Sequence, residues 1–267
     1  MKKLLTLAAL LTVVLAFTGC GRSETIAIGA TAVPHYEILE YILPSLIEQG
    51  FDVELLVFDN FITPNIALNE NEIDINFFQH RPFLDNFNEA NDASLTPVFG
   101  VHFEPLRLYA GRLDTIENIP NGASIAIPED PTNEARALQL LEALGLITLY
   151  DVPMPSATSG IAQNPHNLEI ITLTAQIIPS TLPDVDFAII NGNVALQGGV
   201  IDRYIPNTAE GVNSPAANNF TNFVVTRADF VNEPVVQALI DLLNSDAVYN
   251  FINERYQGRI VPMQIRP

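Results

Sequence analysis

Short β-rich runs alternate with helical patterns along this chain, and the alternation stops and then restarts. Strands separated by helices predict a parallel sheet with crossover helices, and two such series predict two α/β units. In the first series Thr25–Gly29 reads as a strand. His35–Gln49 follows as a helix, with Ile38, Leu39, Ile42, Leu46 and Ile47 on one side and Gly50 as its stop. Asp52–Phe58 and Ile73–Phe78 are further strands, separated by a short helix over Pro64–Asn69. In the second series Ser124–Ile127 is a strand, and Thr132 or Asn133 can cap a helix that runs to Leu144 and ends at Gly145. Leu168–Leu173 and Phe187–Ile190 are strands of the same unit. Leu106–Ala110 and Asn222–Thr226 read as strands crossing between the units, and Glu233–Arg255 as one closing helical region. The chain thus divides into a leader (1–19), a first lobe (20–110), a second lobe (111–221) and a returning segment (222–267). Two α/β lobes joined by two crossings form a hinge, and the cleft between them is a preferred place for a ligand.

The leader carries a separate message. Lys2 and Lys3 precede an apolar run, Leu4–Phe17, that is shorter than the roughly 20 residues a membrane-spanning helix needs. Its length, its flanks and the small residue Gly19 before Cys20 fit a secretory signal peptide. Cys20 is the single cysteine, so no internal disulfide can form and no cysteine cluster is available for a metal. Its position just after the leader suits attachment of lipid. One acyl chain binds a bilayer marginally at about 0.8 kcal/mol per buried methylene, and two or three hold for long periods. The expectation is a body held at the extracytoplasmic face of a cell membrane by lipid on Cys20.

Charge narrows the partners. The chain has 12 basic and 31 acidic side chains, and the leader takes two of the basic ones. A surface of that sign repels nucleic acid. No lysine follows Lys3, which removes both a phosphate-loop lysine and a Schiff-base lysine. GxSxG, HExxH, CxxC and GxGxxG are also absent, so the reading is of a binding protein without cofactor rather than an enzyme.

Some polar residues stand where a cleft would need them. Arg136 lies one turn into the helix that begins near Thr132, where a guanidinium can grip a carboxylate; equally, it can pair on the surface with Glu134 or Glu142. Asn191 follows the apolar strand Phe187–Ile190, and Asn218 lies beyond Ser214-Pro215. Amides both donate and accept, which suits a zwitterion, while Asn-Gly and Ser-Pro are also ordinary turn formers, the reading taken for Asn193. His35, His80, His102 and His166 with the many carboxylates leave a metal-binding lipoprotein as an alternative, though their spacings are long for zinc. A surface hydrolase and a host-facing adhesin are further alternatives.

Six blocks occur in order: Pro34-His35-Tyr36-Glu37, Asn76 through Leu84, Val101-His102-Phe103-Glu104-Pro105, Pro131-Thr132-Asn133 with Arg136, Ile190-Asn191-Gly192-Asn193, and Ser214-Pro215 with Asn218. Together they make the mature chain resemble the methionine-binding lipoproteins of the MetQ/NlpA type, and the leader resembles a lipobox with Phe17 where leucine is usual. The resemblance implies a two-lobed α/β fold like that of type II periplasmic binding proteins. It also implies an importer component that delivers L- or D-methionine, or a close relative such as a short methionine-containing peptide, to an ABC permease and its ATPase. By the same resemblance Arg136, Asn191 and Asn218 hold the ligand's polar end, while Phe61, Phe78, His80, Phe83 and His102 line an apolar pocket. Phe61, Phe83 and Ala216 stand where relatives often carry tyrosine, and Ser180 where many carry arginine. The missing hydroxyls imply a drier pocket.

Overall fold

The computed structural model describes residues 25–265; the leader and Cys20 lie outside the described residues. The chain begins with β1 (Ile26–Thr31), α1 (Glu37–Glu48) and β2 (Val53–Phe58), the two strands running parallel. α1 buries Ile38, Leu39, Ile42 and Leu46, but Ile47 is 55% exposed, one step past the apolar stripe. Gly50, at φ +93°, lets the chain reverse after the helix. Next come α2 (Thr63–Asn69), β3 (Ile75–His80), α3 (Arg81–Asn91) and β4 (Leu95–Phe103). β3 is buried at every position, as a strand covered on both faces must be. Its polar residues are matched internally: Gln79 exchanges two hydrogen bonds with Asn65, whose Oδ1 also accepts from Asn76.

The second series comprises β5 (Arg107–Ala110), β6 (Ser124–Pro128), α4 (Pro131–Ala143), the small antiparallel pair β7 (Thr148–Leu149) and β8 (Ile161–Gln163), and β9 (Glu169–Leu173). α5 (Ile178–Thr181), β10 (Phe187–Ile190), α6 (Gly192–Gln197), β11 (Tyr204–Ala209) and α7 (Pro215–Asn219) follow. These strands form one sheet in the order β11-β5-β10-β6-β9. The α4 cap is Asp130, whose Oδ1 accepts the Asn133 N–H at 3.0 Å, and not Thr132 or Asn133. Pro131 accounts for the shift, since proline favours the first helical position and so leaves the cap to the residue before it.

The chain then returns to the first sheet. β12 (Thr221–Arg227) runs antiparallel between β3 and β4, and β13 (Val261–Ile265) adds to the outer edge of β4. The order is β13-β4-β12-β3-β1-β2. The closing helical region is two helices, α8 (Pro234–Leu243) and α9 (Asp246–Tyr256), with Ser245 capping the second through a bond from Val248 N–H. Both pack with α1 on the first sheet around Leu39, Leu239, Leu243 and Ile252. Burying each such side chain stabilises by about 1.5–3 kcal/mol.

The result is two α/β lobes with a cleft, as expected, but the crossings differ. Leu106–Ala110 does not bridge the lobes: β5 belongs wholly to the second sheet, antiparallel to β10 and β11. Leu106 and Leu108 are drawn into that lobe's core. Asn222–Thr226 lies inside β12, in the first sheet. The crossings are the non-strand segments 104–106 and 210–220. No helix among the described residues is long and apolar enough to cross a membrane.

Candidate functional site

A narrow pocket of about 20 Å³ lies between the two sheets. Phe61, Phe78, Gln79, His80, Phe83 and Asn222 come from the first lobe, Asn133, Arg136, Asn191 and Asn193 from the second, and Glu104 from a crossing. Its apolar end is a cage of three rings. Phe61 faces Phe78 and Phe83 at 6.2 Å each between centroids, and Phe78 meets Phe83 edge-on at 5.9 Å. Edge-to-face geometry of this kind is favourable and leaves ring edges toward a guest.

The polar end is fixed by a chain of amides. Asp130 takes the Asn133 Nδ2–H groups on both of its oxygens at 3.0 Å, which turns Asn133 Oδ1 inward. That oxygen accepts from Asn191 Nδ2 at 2.9 Å and from His80 Nε2 at 3.1 Å. His80 Nδ1 accepts the Phe83 N–H at 3.2 Å, so the proton sits on Nε2. Burial, with the Arg136 charge nearby, pushes the His80 pKa down to about 3, and the ring is neutral. Asn191 is 7% exposed, and its Oδ1 has no hydrogen-bond partner among the described residues. A buried acceptor left open costs about 1–3 kcal/mol, and Asn191 belongs to the pocket lining.

Glu104 closes the floor. Its Oε2 accepts the Asn193 N–H at 2.7 Å and its Oε1 accepts from His102 Nε2 at 2.9 Å. Burial pushes its pKa up, while His35 and the Asn193 N–H pull the other way. Gly192 permits this approach: a Cβ there would stand 3.0 Å from Glu104 Cβ. The Asn-Gly step is therefore a close-packing device at the start of α6, and Asn193, read from sequence as turn chemistry, lines the pocket.

Three other sequence-predicted positions differ from expectation. His102 is fully buried beneath Glu104 and is not part of the pocket wall. With His35 and Glu104 it forms a group whose ligating atoms lie within 4.8 Å of one another, so the structure gathers two of the four histidines, and neither His80 nor His166 joins them. The Nε2 atoms of both are already engaged, His35 with Asn222 at 3.1 Å and His102 with Glu104. Asn218 is exposed and outside the pocket, because α7 turns inward on Ala217; Asn222, at the start of β12, occupies the wall instead. Arg136 is buried and reaches the pocket, but it pairs with neither Glu134 nor Glu142. Its Nε and one terminal nitrogen hold both oxygens of Glu210, and its face stacks 4.2 Å above the Phe220 ring.

The family model described as NlpA lipoprotein matches residues 26–264, which is nearly all of the described chain. The chain belongs to the NlpA lipoprotein family. Within it, the D-methionine-binding lipoprotein MetQ of Salmonella typhi is 32% identical over 92% of this chain and 93% of its own length. Outer membrane lipoprotein 3 of Mannheimia haemolytica is 33% identical over 91% and 92%. Among solved structures, a nutrient binding protein from Burkholderia cenocepacia bound to methionine superposes with a TM-score of 0.83 at 30% identity, covering 89% of this chain and 99% of that one.

The pocket is shared by both lobes, and Gln79, Glu104, Asn133, Asn193 and Asn222 of its lining, with Glu210 behind Arg136, were not picked from sequence. Gln79, Glu104, Asn133 and Asn193 stand inside the six blocks and could have been weighed there. Glu210 and Asn222 carry no local signal; only the folded chain brings Glu210 to a helix 74 residues earlier.

Proposed function

We propose that this chain is the substrate-binding lipoprotein of an ABC importer and that it captures methionine, as the L or D form. The observation that carries this reading is the split character of the pocket between the sheets: a three-ring cage at one end, and Asn191 Oδ1, Glu104 and Arg136 at the other. A thioether is polarizable and gains about 0.3–1.5 kcal/mol per contact with ring edges, which suits the cage. The ammonium is assigned to Asn191 Oδ1 and the Glu104 carboxylate, and the carboxylate to Arg136. Phe61, Phe78, His80 and Phe83 enclose the side chain, Asn133 and Asn222 orient the walls, and His102 acts from below through Glu104. Relatives named as methionine-binding support the same ligand.

No bond of the ligand is broken in this role; capture and closure are the whole mechanism. The lobes are assigned to residues 25–103 with 221–265 and to residues 107–209, following sheet membership. Lipid on Cys20 holds the body at the extracytoplasmic face, and the closed lobes present the ligand to the permease and its ATPase. The test is isothermal titration of protein stripped by unfolding and refolding, alongside mass spectrometry of what unfolding releases. Saturable binding of methionine supports the reading. Release of a different compound, with no heat on adding either methionine enantiomer, overturns it.

A further inference from the structure

Arg136 reaches the pocket with most of its donors already taken. Its Nε donates to Glu210 Oε1 at 2.8 Å. Its Nη2 donates to Glu210 Oε2 at 2.5 Å and to the Glu104 carbonyl at 2.8 Å. Glu210 Oε2 also accepts the Leu106 N–H at 2.8 Å, and the Glu210 N–H returns a bond to the Leu106 carbonyl at 3.0 Å. The guanidinium side chain is 2% exposed and the Glu210 side chain 9%, so the pair is a buried junction of α4 with both crossings.

A guanidinium offers a carboxylate two edges, Nε with Nη2 and Nη1 with Nη2. Both N–H groups of Nη2 are committed, so neither edge can take a carboxylate bidentately without breaking bonds within the protein. Nη1 remains, and it makes no hydrogen bond among the described residues. The unmet demand on the pocket's side is of the opposite kind: Asn191 Oδ1 is an open acceptor, and Glu104 is an acceptor on the floor.

Building on the methionine reading above, we infer that the site selects its ligand by ammonium and side chain rather than by free carboxylate. It accepts α-amino amides beside α-amino acids, and Glu210 sets this preference by occupying the Arg136 fork. A single N–H from Nη1 serves an amide carbonyl as readily as one carboxylate oxygen. The charge of Arg136 already has its counter-ion, so an ionised carboxyl gains little more.

Titration calorimetry of the stripped protein with methionine, methioninamide and N-acetylmethionine tests this at about pH 6, below the α-amino range of about 7.7–8.0. Methioninamide is expected within about tenfold of methionine, and N-acetylmethionine at least about 100-fold weaker, a gap of about 2.7 kcal/mol. In Glu210→Gln the guanidinium charge loses its partner, and the preference for methionine over its amide is expected to rise at least about fivefold. Methioninamide weaker by more than about tenfold in the unaltered protein, or N-acetylmethionine binding as well as methionine, overturns the inference while leaving methionine capture intact. Failure of all three ligands overturns the methionine reading, and this inference with it.

Discussion

Arg136 joins a structural task to a binding task, and truncation separates them. Removing the guanidinium leaves the Glu210 carboxylate buried without its cation, and orphaned buried charges of this kind cost about 3–5 kcal/mol. Arg136→Ala is therefore expected to lose about that much stability in urea unfolding without ligand, and to weaken methionine at least about tenfold in calorimetry. An unchanged urea midpoint would contradict the buried junction; unchanged affinity would contradict its place in the pocket. Asn133 offers the complementary case. Asn133→Ala removes the acceptor for both Asn191 and His80 while leaving Arg136 and Glu210 in place. Affinity is expected to fall by about tenfold or more, with a loss of about 1–3 kcal/mol in stability from the newly unpaired amide. An affinity loss without any shift in the thermal midpoint would mean that Asn133 touches the ligand and does not organise its neighbours. Arg136 and Asn191 came forward through the six ordered blocks, since local pattern alone left Arg136 open to a surface pair and Asn191 to turn chemistry; both line the pocket. Glu210 was not legible in sequence, because its role is created by a contact across 74 positions.

Among the elements, those with a strong period were legible and those held by distant pairing were not. β1, β2, β10 and α1 fall within a few residues of their expected bounds, since alternation, glycine stops and apolar runs are local properties. β4, β11 and β13 were missed. Each contains proline, Pro97, Pro206 and Pro262, and the last two strands lie at the outer edge of their sheets, where a missing N–H does little harm. The elements around the pocket also concentrate buried imidazole: His35 follows β1, His80 ends β3 and His102 lies in β4. All three are pushed down to about 3, chiefly by burial. A histidine whose folded pKa lies below its unfolded value contributes stability that is full above about 6.5 and is lost as pH falls toward the folded value. Glu104, pushed up by burial, acts in the opposite sense above the ordinary carboxylate range, but one carboxyl stands against three rings. The urea midpoint is thus expected to fall between pH 7 and pH 5 at constant ionic strength, each ring contributing up to about 1.4 kcal/mol per pH unit. A midpoint that is flat or rises over this interval would mean that the rings titrate normally. His80→Gln should flatten the slope by about one proton's worth.

For the whole molecule, the restart of the βα pattern revealed two lobes, yet it could not say where the chain crosses. A run such as Leu106–Ala110 announces a strand, but which sheet takes it depends on partners β10 and β11, which lie far along the chain. Glu104, at the true crossing, is tied to β4 through His102 and to α6 through Asn193, so pocket and hinge share one residue. No helix among the described residues is long and apolar enough to cross a membrane, and acidic side chains outnumber basic ones 31 to 12 over the full chain, a charge that anionic headgroups repel. On the proposed reading, lipid on Cys20 makes the attachment, where each buried methylene contributes about 0.8 kcal/mol and two or more chains make dissociation slow. Anchor and capture are then separable. Cys20→Ser is expected to move the protein from the membrane to the soluble fraction on cell fractionation, with loss of the lipid mass on the mature chain. Methionine affinity should stay within about twofold, because the pocket residues all belong to the folded body; at 100 times its dissociation constant, ligand should still add about 2.7 kcal/mol of stability. A variant that remains with the membrane would show that some other surface of the body, not the lipid, makes the attachment.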